Sequence, residues 1–334
     1  MDWRWTDSLG VALMGADTAA RAVGWARAAE RAGLGSVWII EDYFQPGAFS
    51  LAGAAAATTE QVAIGLGVVN PYTRHPALIA METAALASLS AGRVVLGLGS
   101  SNRRWIEEQM GLDFHAPLAG LGESVGIIRS LLRGERVSFL GAHFHLEGVE
   151  LEHAPKEEVP ILLGVKGPRA LRLAGEMADG VHCSVLATPA HVRRVREATA
   201  GHSGHFAVIS YVPMLVGEDG RRTRERLKPV LARYLGLLHG QSILADAGFG
   251  AERTQPFRDA LVRGGDAAPL VTDEMVDAFA VAGTPEECRT QLRRFADAGL
   301  DTAVAVVPRD ADLAAQIGRI GIELSPAWKE LRWR

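Results

Sequence analysis

Residues 61–99 read QVAIGLGVVNPYTRHPALIAMETAALASLSAGRVVLGLG, and this stretch decides the fold class. It begins and ends with short apolar runs rich in β-branched residues and glycine, which is the composition of buried strands. Between them, an Asn-Pro turn precedes a longer run of helix-forming residues with few charges. A strand, a helix and a second strand in this order predict a βαβ unit with parallel strands.

The same alternation continues in both directions along the chain. Further apolar runs, each followed by an amphipathic stretch, are SLGVALM, SVWII, VPILLGV, GVHCSVL, FAVISYVPMLV and DTAVAVVP. Together with the two strands above, they make about eight strand–helix units, the number found in a (β/α)8 TIM barrel of roughly 250 to 350 residues. A doubly wound open sheet is the alternative.

Two segments interrupt this alternation. Residues 135–155, ERVSFLGAHFHLEGVELEHAP, alternate with period two around Gly141 and predict a β-hairpin insertion. Residues 218–280 are too long for one crossover, so they predict a helical insertion before the last strand, with DAGFGAERTQP as a flexible loop. The sequence has no internal repeat and no linker, and we therefore expect one α/β domain over residues 1–334.

Composition limits the classes of partner. The chain has 334 residues, of which 48% are hydrophobic, and a formal charge of −4 with acids and bases interspersed. It is long enough to bury a large core, and the absence of a basic face argues against nucleic acid as a partner. No apolar run reaches the roughly 18 residues that span a bilayer, and the acidic start does not resemble a leader, so we expect a cytoplasmic protein without membrane contacts. Cys183 and Cys288 are expected to be reduced thiols.

In a barrel of this kind, reactive residues gather where the strands end. Glu41, Asp42 and Tyr43 follow the second strand and are expected at that rim, with a solvated acidic loop as the alternative. Gly65 and Gly67, in the third strand, would let another molecule approach the backbone closely. The loop after the fourth strand offers neutral hydrogen-bonding groups and positive charge, on Ser100, Ser101, Asn102, Arg103 and Arg104.

The segment GVKGPR follows the fifth strand and is a candidate phosphate site. Gly164 and Gly167 flank Lys166, and Pro168 begins a helix whose free amides would point back at the rim. The alternative is an ordinary Gly-Pro helix start with an exposed lysine. His143 and His145 lie two apart in the predicted hairpin and hence on one face, but without a third ligand nearby we expect no metal site.

Taken together, the rim segments resemble a known family. DYFQP, GVVNPYTRHPALIAMETAALASLSAGRVVLGLGSS and GPRALRLAGEMADGV are similar to segments of the bacterial luciferase-like superfamily of flavin- and deazaflavin-dependent TIM-barrel oxidoreductases. Within it, NPYTRHP and the DxFQP turn resemble the coenzyme F420 branch, which includes methylenetetrahydromethanopterin reductase and an F420-dependent glucose-6-phosphate dehydrogenase. The resemblance covers most of residues 8–215 and the final unit and is weaker over 218–280.

The resemblance implies a cofactor site at the rim. Asp42 would contact the deazaflavin side chain or ring edge, a non-prolyl cis peptide at Gly67–Val68 would brace the back of the ring, and residues 100–102 would border it. The segment 164–168 would bind the cofactor phosphate. The implied cofactor-binding residues are Asp42, Gly67, Val68, Asn70, Ser100, Ser101, Asn102, Gly164, Val165, Lys166, Gly167 and Pro168.

Two departures from the dehydrogenase argue against glucose 6-phosphate as the substrate. Where that enzyme has a His after the Asp and a Trp after the Pro, this chain has Tyr43 and Gly47. The glutamate that the dehydrogenase carries after its fourth strand is replaced near Ser101 and Asn102. Tyr43 is the candidate catalytic residue, because a phenol with a pKa near 10 can donate a proton at pH 7; ring packing is its alternative role.

The resemblance therefore implies an oxidoreductase that transfers a hydride between the C5 atom of coenzyme F420 and a small organic substrate. The alternatives are an FMN-dependent two-component monooxygenase on the same barrel and a barrel that binds a flavin or other ligand without turnover. The helical segments LAGAAAATT and IAMETAALASLSAG are rich in Ala with few charges, so with the resemblance they predict a homodimer. Packing of these helices against the barrel is the alternative.

Overall fold

The computed structural model describes residues 3–14, 18–42 and 44–332. The strands in these ranges are β1 (Gly10–Leu13), β2 (Ser36–Ile39), β3 (Ala63–Val69), β4 (Val94–Leu98), β5 (Val137–Leu140), β6 (His145–Val149), β7 (Ile161–Leu163), β8 (Gly180–Cys183), β9 (Ala207–Val216), β10 (Val281–Gly283) and β11 (Thr302–Val306). The α-helices are α1 (Thr18–Arg31), α2 (Ala48–Ala56), α3 (Pro76–Leu89), α4 (Pro117–Leu132), α5 (Pro168–Met177), α6 (Pro189–Ala198), α7 (Gly220–Leu237), α8 (Ser242–Ala245), α9 (Ala251–Arg263), α10 (Asp273–Phe279), α11 (Pro285–Asp297), α12 (Leu313–Arg319) and α13 (Ser325–Arg332).

Eight strands form a closed parallel barrel in the order β1-β2-β3-β4-β7-β8-β9-β11. The ring closes where β11 pairs with β1, with Gly10 opposite Val304, and where β8 pairs with β9. Helices follow the strands around the outside, which confirms the predicted (β/α)8 barrel. The barrel strands are buried on both faces: along β11, Ala303 and Ala305 join the core beneath the helices, while Val304 and Val306 join the core of the lumen.

The lumen is filled by large rings that face glycines. A Cβ atom added at Gly65 would collide with the Trp38 ring, and one added at Gly67 would collide with the Tyr211 hydroxyl. We expected these glycines to let another molecule approach the backbone. On the face where a side chain would project, this expectation is wrong, because the rings of Trp38 and Tyr211 occupy the space. Small residues beside large rings let side chains fill the interior of the barrel.

Several helices begin with proline in the first turn, a position that suits proline because the first helical amide has no partner within the helix. These prolines are Pro76, Pro117, Pro168, Pro189 and Pro285. At α6 and α11 the preceding threonines, Thr188 and Thr284, accept from a backbone amide and cap the helix. At α5 the preceding residue is Gly167, which has no side chain to do so.

Both predicted insertions are present. Strands β5 and β6 pair antiparallel, with Leu140 opposite His145, and confirm the hairpin. His143 lies in the turn before β6, so it does not share a strand face with His145 as predicted. The second insertion contains α7 to α10, and β10 extends the sheet by pairing with the end of β9. This short strand was not predicted.

The predicted flexible loop DAGFGAERTQP is wrong in its second half, because α9 begins at Ala251 and continues through Pro256. Phe249 and Phe257 are buried at 1% and 2% exposure, and Gly236 of α7 lets the backbone at Phe257 approach closely. Burial of these two rings against the core therefore outweighs the turn-forming composition of the segment.

Both cysteines are free thiols. Cys183 in β8 and Cys288 in α11 are buried and unpaired, and burial raises the pKa of each thiol to about 12. Within the described ranges, none of the helices has the length and apolar character needed to cross a membrane.

Candidate functional site

The loops at the carboxyl ends of the barrel strands contain a concentration of unusual backbone. Five described residues other than glycine have a left-handed φ, and four of them lie in these loops. They are Phe44 after β2, Ser101 and Ala116 between β4 and α4, and Leu186 after β8, with φ values of 63°, 62°, 35° and 65°. Such conformations are costly for residues with a Cβ atom and cluster at functional sites. The geometry therefore points to this end of the barrel.

Glu41 and Asp42 have different surroundings in the loop after β2. Glu41 forms an ion pair with Arg74 at 3.1 Å and accepts a bond from the Ala48 amide at 3.4 Å, so it joins two loops and the start of α2. The Asp42 carboxylate accepts a bond from the Gln45 side chain at 3.2 Å and is half-buried. Tyr43, the predicted catalytic residue, lies outside the described residues. Glu41 is thus structural, and Asp42 is the candidate for a ligand contact.

The end of β3 carries a bulge. Its pairing with β4 shifts register between Leu66 and Val69, and the peptide bond between Gly67 and Val68 is cis, as the resemblance implies. The Val68 side chain lies among three glycines of neighbouring segments. Cβ atoms added at Gly97, Gly99 and Gly164 would lie 3.0, 2.6 and 3.1 Å from its methyl groups. These glycines therefore form a cradle for Val68.

Two of the predicted binding residues shape their own loops. Asn70 is buried at 5% exposure, and its side-chain oxygen accepts bonds from the amides of Tyr72 and Thr73 at 3.1 and 3.0 Å. Asn102 is exposed and accepts a bond from the Trp105 amide at 3.1 Å. Side-chain bonds of this kind fix turns. Ser100 and Ser101 are half-buried between these two turns at the same rim.

Lys166 does not point freely into solvent. Its Nζ atom donates to the Gln241 side chain at 2.7 Å, and burial lowers the pKa of the ammonium from 10.5 to about 8. Val165 beside it is buried at 7% exposure, so the backbone of this loop is held in place. The sequence predicted a positive charge at this position, and the structure adds a partner from the helical insertion.

Gly167 borders open space. A Cβ atom added there would meet no atom within 4 Å, and its φ of −81° and ψ of 157° are extended, a conformation open to any residue. Pro168 follows as the first residue of α5, and no side chain caps this helix start. Uncapped amides at a helix start attract anions. This combination of open space and amides fits a phosphate.

The helical insertion is attached to this region at both ends of α8. Gln241 precedes α8 and holds Lys166, while Asp246 follows it and contacts two residues of α6. The Asp246 carboxylate lies 3.1 Å from Nδ1 of His191 and also pairs with Arg194. His191 is fully buried, and burial lowers its pKa against the opposing effect of Asp246. The insertion is therefore docked on the loop that follows β7 and on α6.

Three residues that sequence analysis did not single out form the floor of the site. Trp38, His182 and Tyr211 project into the lumen, with ring centroids 5.1 Å apart for Trp38 and His182 and 4.2 Å apart for His182 and Tyr211. Burial lowers the pKa of His182 to about 4, so the ring is neutral at pH 7. The signal that could have found them is period-two alternation within SVWII, GVHCSVL and FAVISYVPMLV.

Tyr234 of α7 is a half-buried phenol of the helical insertion, packed against the core beneath the helices. Burial raises its pKa, the charge of Arg233 opposes that rise, and the nearby Asp42 carboxylate adds to it. Sequence analysis missed it because it lies in the insertion, where periodicity indicates helix but not what the helix covers.

An open groove of about 750 Å³ lies at the other end of the barrel, near Trp5 and Leu34. The charged groups along it serve the fold: Glu30 accepts bonds from three consecutive amides between Glu60 and Val62, and Arg93 donates to the carbonyl oxygens of Ala56 and Thr59. In TIM barrels this end contributes to stability. The size of this groove does not make it the reactive site.

Residues 5–302 match the model of the luciferase-like monooxygenase family. The chain is 31% identical over 318 residues to the 5,10-methylenetetrahydromethanopterin reductase of Archaeoglobus fulgidus, which covers 91% of this chain and 95% of that protein. It is 30% identical over 307 residues to the F420-dependent glucose-6-phosphate dehydrogenase of Amycolatopsis mediterranei, covering 84% and 86%.

Solved structures show the same fold. The coenzyme F420-dependent tetrahydromethanopterin reductase of Methanopyrus kandleri matches with a TM-score of 0.86 at 24% identity, over 96% of this chain and 99% of that one. The oxygenating constituent of 3,6-diketocamphane monooxygenase from Pseudomonas putida, in complex with FMN, matches with a TM-score of 0.73 at 17% identity, over 95% and 98%.

Proposed function

The chain belongs to the luciferase-like monooxygenase family, and from this membership we propose that it is an oxidoreductase that binds coenzyme F420 and transfers a hydride between the cofactor and a small organic substrate. The observation that carries the proposal is the open space at Gly167 beside the uncapped start of α5, at the same rim as Asp42 and the Val68 bulge. Its relatives at about 30% identity include an F420-dependent dehydrogenase, which favours the deazaflavin over FMN.

The residues present fit such a cofactor. When bound, the deazaflavin supplies hydride chemistry at its C5 atom. The amides at the start of α5 and the charge of Lys166 would hold the phosphate, and Asp42 would orient the polar side chain or ring edge. Val68 would support the ring from behind, with residues 100–102 along its border. The buried rings of the lumen keep water away from this floor.

Proton transfer to the substrate requires a group that is protonated at neutral pH. Tyr43 remains the predicted donor, and Tyr234 is a described phenol whose pKa the Asp42 carboxylate helps to raise. Because burial raises the pKa of Tyr234, its hydroxyl keeps its proton at pH 7 and can donate it or a hydrogen bond, but cannot act as a base there. Replacement of each tyrosine by phenylalanine would show which hydroxyl limits turnover.

Anaerobic titration with coenzyme F420, followed by its fluorescence, tests the proposal. We expect saturable binding below roughly 100 μM, a range typical of enzyme ligands. A parallel titration with FMN addresses the two-component monooxygenase, the alternative favoured by the family description and by the FMN-bound structural neighbour. Tighter binding of FMN than of coenzyme F420 would favour the FMN-dependent monooxygenase over the F420-dependent oxidoreductase. Substrate-dependent oxidation of the reduced cofactor would exclude a barrel that binds without turnover.

Lys166→Ala should weaken binding of the phosphate-bearing cofactor by about three- to tenfold and leave the phosphate-free fragment unchanged, because a single charge-assisted contact is removed. The pKa of Lys166 is about 8, so its ammonium charge is present below that pH and is lost as the pH rises through it. The wild-type advantage over the variant should therefore shrink between pH 7 and 9.5. Fluorescence titrations at several pH values measure this.

Gln241→Ala is the matched control, since Gln241 is the side chain that holds Lys166 in the free protein. If Lys166 acts on the phosphate, removal of Gln241 leaves the phosphate preference intact. Equal losses of affinity in Lys166→Ala and Gln241→Ala would instead show that Lys166 serves to dock the insertion. Equally weakened binding of the cofactor and its phosphate-free fragment would show the same.

We further infer that the chain forms a homodimer, as predicted from α2 and α3, through the exposed face of α3. One side of helix α3 packs against the barrel, which was the alternative to a dimer contact. Ile79, Thr83 and Leu86 are buried on that side. On the other side, Leu78, Met81 and Leu89 are 48%, 52% and 56% exposed on one face. A contiguous exposed apolar face of this kind favours association with a second copy.

Light scattering at micromolar concentration should therefore give twice the mass of one chain. Met81→Glu should shift the mass towards the monomer, because it places a charge in the contact. Val262→Glu, at an exposed valine of α9 outside this face, should not. A wild-type mass equal to one chain would contradict the dimer.

A further inference from the structure

The hydroxyl of Tyr211 makes a hydrogen bond that crosses the barrel. It donates to the carbonyl oxygen of Gly67 at 2.7 Å, and both groups are buried. Tyr211 lies on β9 and Gly67 on β3, which stand four strands apart in either direction around the ring. The phenol therefore spans the lumen and joins two strands that share no sheet hydrogen bonds.

The acceptor of this bond is part of the β3 bulge. The register of β3 against β4 is regular through Leu66 and resumes at Val69, so Gly67 and Val68 are the residues that leave it. A buried carbonyl released from a sheet needs another donor, and Tyr211 supplies one. Gly67 must be glycine for this contact, because a Cβ atom there would collide with the Tyr211 hydroxyl.

The position of the Tyr211 ring is itself determined by packing. The ring is 9% exposed and lies 4.2 Å from the His182 ring, which in turn packs edge-on against Trp38. Burial raises the pKa of Tyr211 well above 10, so its hydroxyl retains its proton and remains a donor at all physiological pH values. The donor is thus held in one place and in one protonation state.

We propose that Tyr211 is a positioning residue: its hydrogen bond to Gly67 fixes the orientation of the bulge and so presses the Val68 side chain into its glycine cradle, setting the surface on which the cofactor ring rests. This inference rests on the proposed function for its cofactor part. Tyr211 would thus affect cofactor binding from beneath the site, on the strand that lies opposite β3 in the barrel.

Tyr211→Phe tests the proposal, because it removes the hydroxyl and keeps the ring that packs against His182. The control is Thr302→Val. The Thr302 hydroxyl also donates to a buried carbonyl, that of Trp5, at 2.9 Å, but at the other end of the barrel. Both variants lose one buried bond of the same kind, so both should lose similar thermal stability.

Two readouts separate a positioning role from a structural one. In the free protein, backbone amides of a peptide spanning residues 63–72 should exchange hydrogen about tenfold faster in Tyr211→Phe than in wild type or Thr302→Val. Tyr211→Phe should also bind coenzyme F420 and its phosphate-free fragment about tenfold more weakly, whereas Thr302→Val should bind both as wild type does.

Each outcome decides a distinct point. Unchanged exchange and unchanged affinity in Tyr211→Phe, with wild type binding the cofactor, would overturn this inference alone. Equal changes in hydrogen exchange and in affinity for Thr302→Val would show that the Tyr211 hydroxyl only stabilises the fold. Failure of wild type to bind either deazaflavin or FMN would overturn the proposed function and the cofactor part of this inference, while the exchange measurement would still decide whether Tyr211 holds the bulge.

Discussion

Gly97→Ala is expected to lose about 3 to 5 kcal/mol of the free energy of unfolding, a large part of the roughly 5 to 15 kcal/mol typical of a folded domain. The added Cβ atom would collide with the carbonyl oxygen of Leu66 and lie 3.0 Å from Val68. The first of these atoms belongs to the backbone of the adjacent strand, so it cannot turn aside as a side chain can. Chemical denaturation followed by circular dichroism measures the loss.

The matched control is Gly24→Ala in α1. Gly24 lies within a helix and its added Cβ would meet no atom within 4 Å, so alanine should stabilise the protein by about 0.5 to 1 kcal/mol. The two substitutions are chemically identical and should have opposite signs. An unfolding free energy for Gly97→Ala within 1 kcal/mol of wild type would show that β3 and β4 can separate to admit the methyl group.

Gly167→Val, unlike Gly97→Ala, should have a large effect on cofactor binding and a small effect on stability. Its side chain enters open space, and the extended backbone at this position suits a β-branched residue, so the free energy of unfolding should change by less than about 0.5 kcal/mol. The same side chain would occupy the space assigned to the phosphate. We expect the affinity for coenzyme F420 to fall about 100-fold, equivalent to about 2.7 kcal/mol.

Gly201→Val serves as its control, since Gly201 is exposed, borders open space in the same way and follows α6 at the other end of the barrel. Fluorescence titration should give wild-type affinity for this variant. If Gly167→Val folds normally and also binds with wild-type affinity, the phosphate lies elsewhere and our placement of the cofactor is wrong.

Much of the barrel could be predicted from local pattern. Strand and helix periodicity in 61–99 and its repetitions predicted the eight units, and period-two alternation predicted the hairpin at 135–155. The loop predicted within 246–256 failed because the burial of Phe249 and Phe257 depends on α7, which the local composition does not describe. β10 was missed because three residues are too few to show a period.

Tertiary structure decided what each rim residue does. Glycines at 65, 67 and 167 are alike in sequence, yet the first two face Trp38 and Tyr211 and the third faces open space. Lys166 meets Gln241 across 75 residues of sequence, and Tyr211 meets Gly67 across 144. Local sequence determines most strands and helices, because their patterns depend on neighbours a few residues away. Contacts between distant segments leave no periodic signal, so only the folded barrel shows which spaces the protein fills itself and which remain for a ligand.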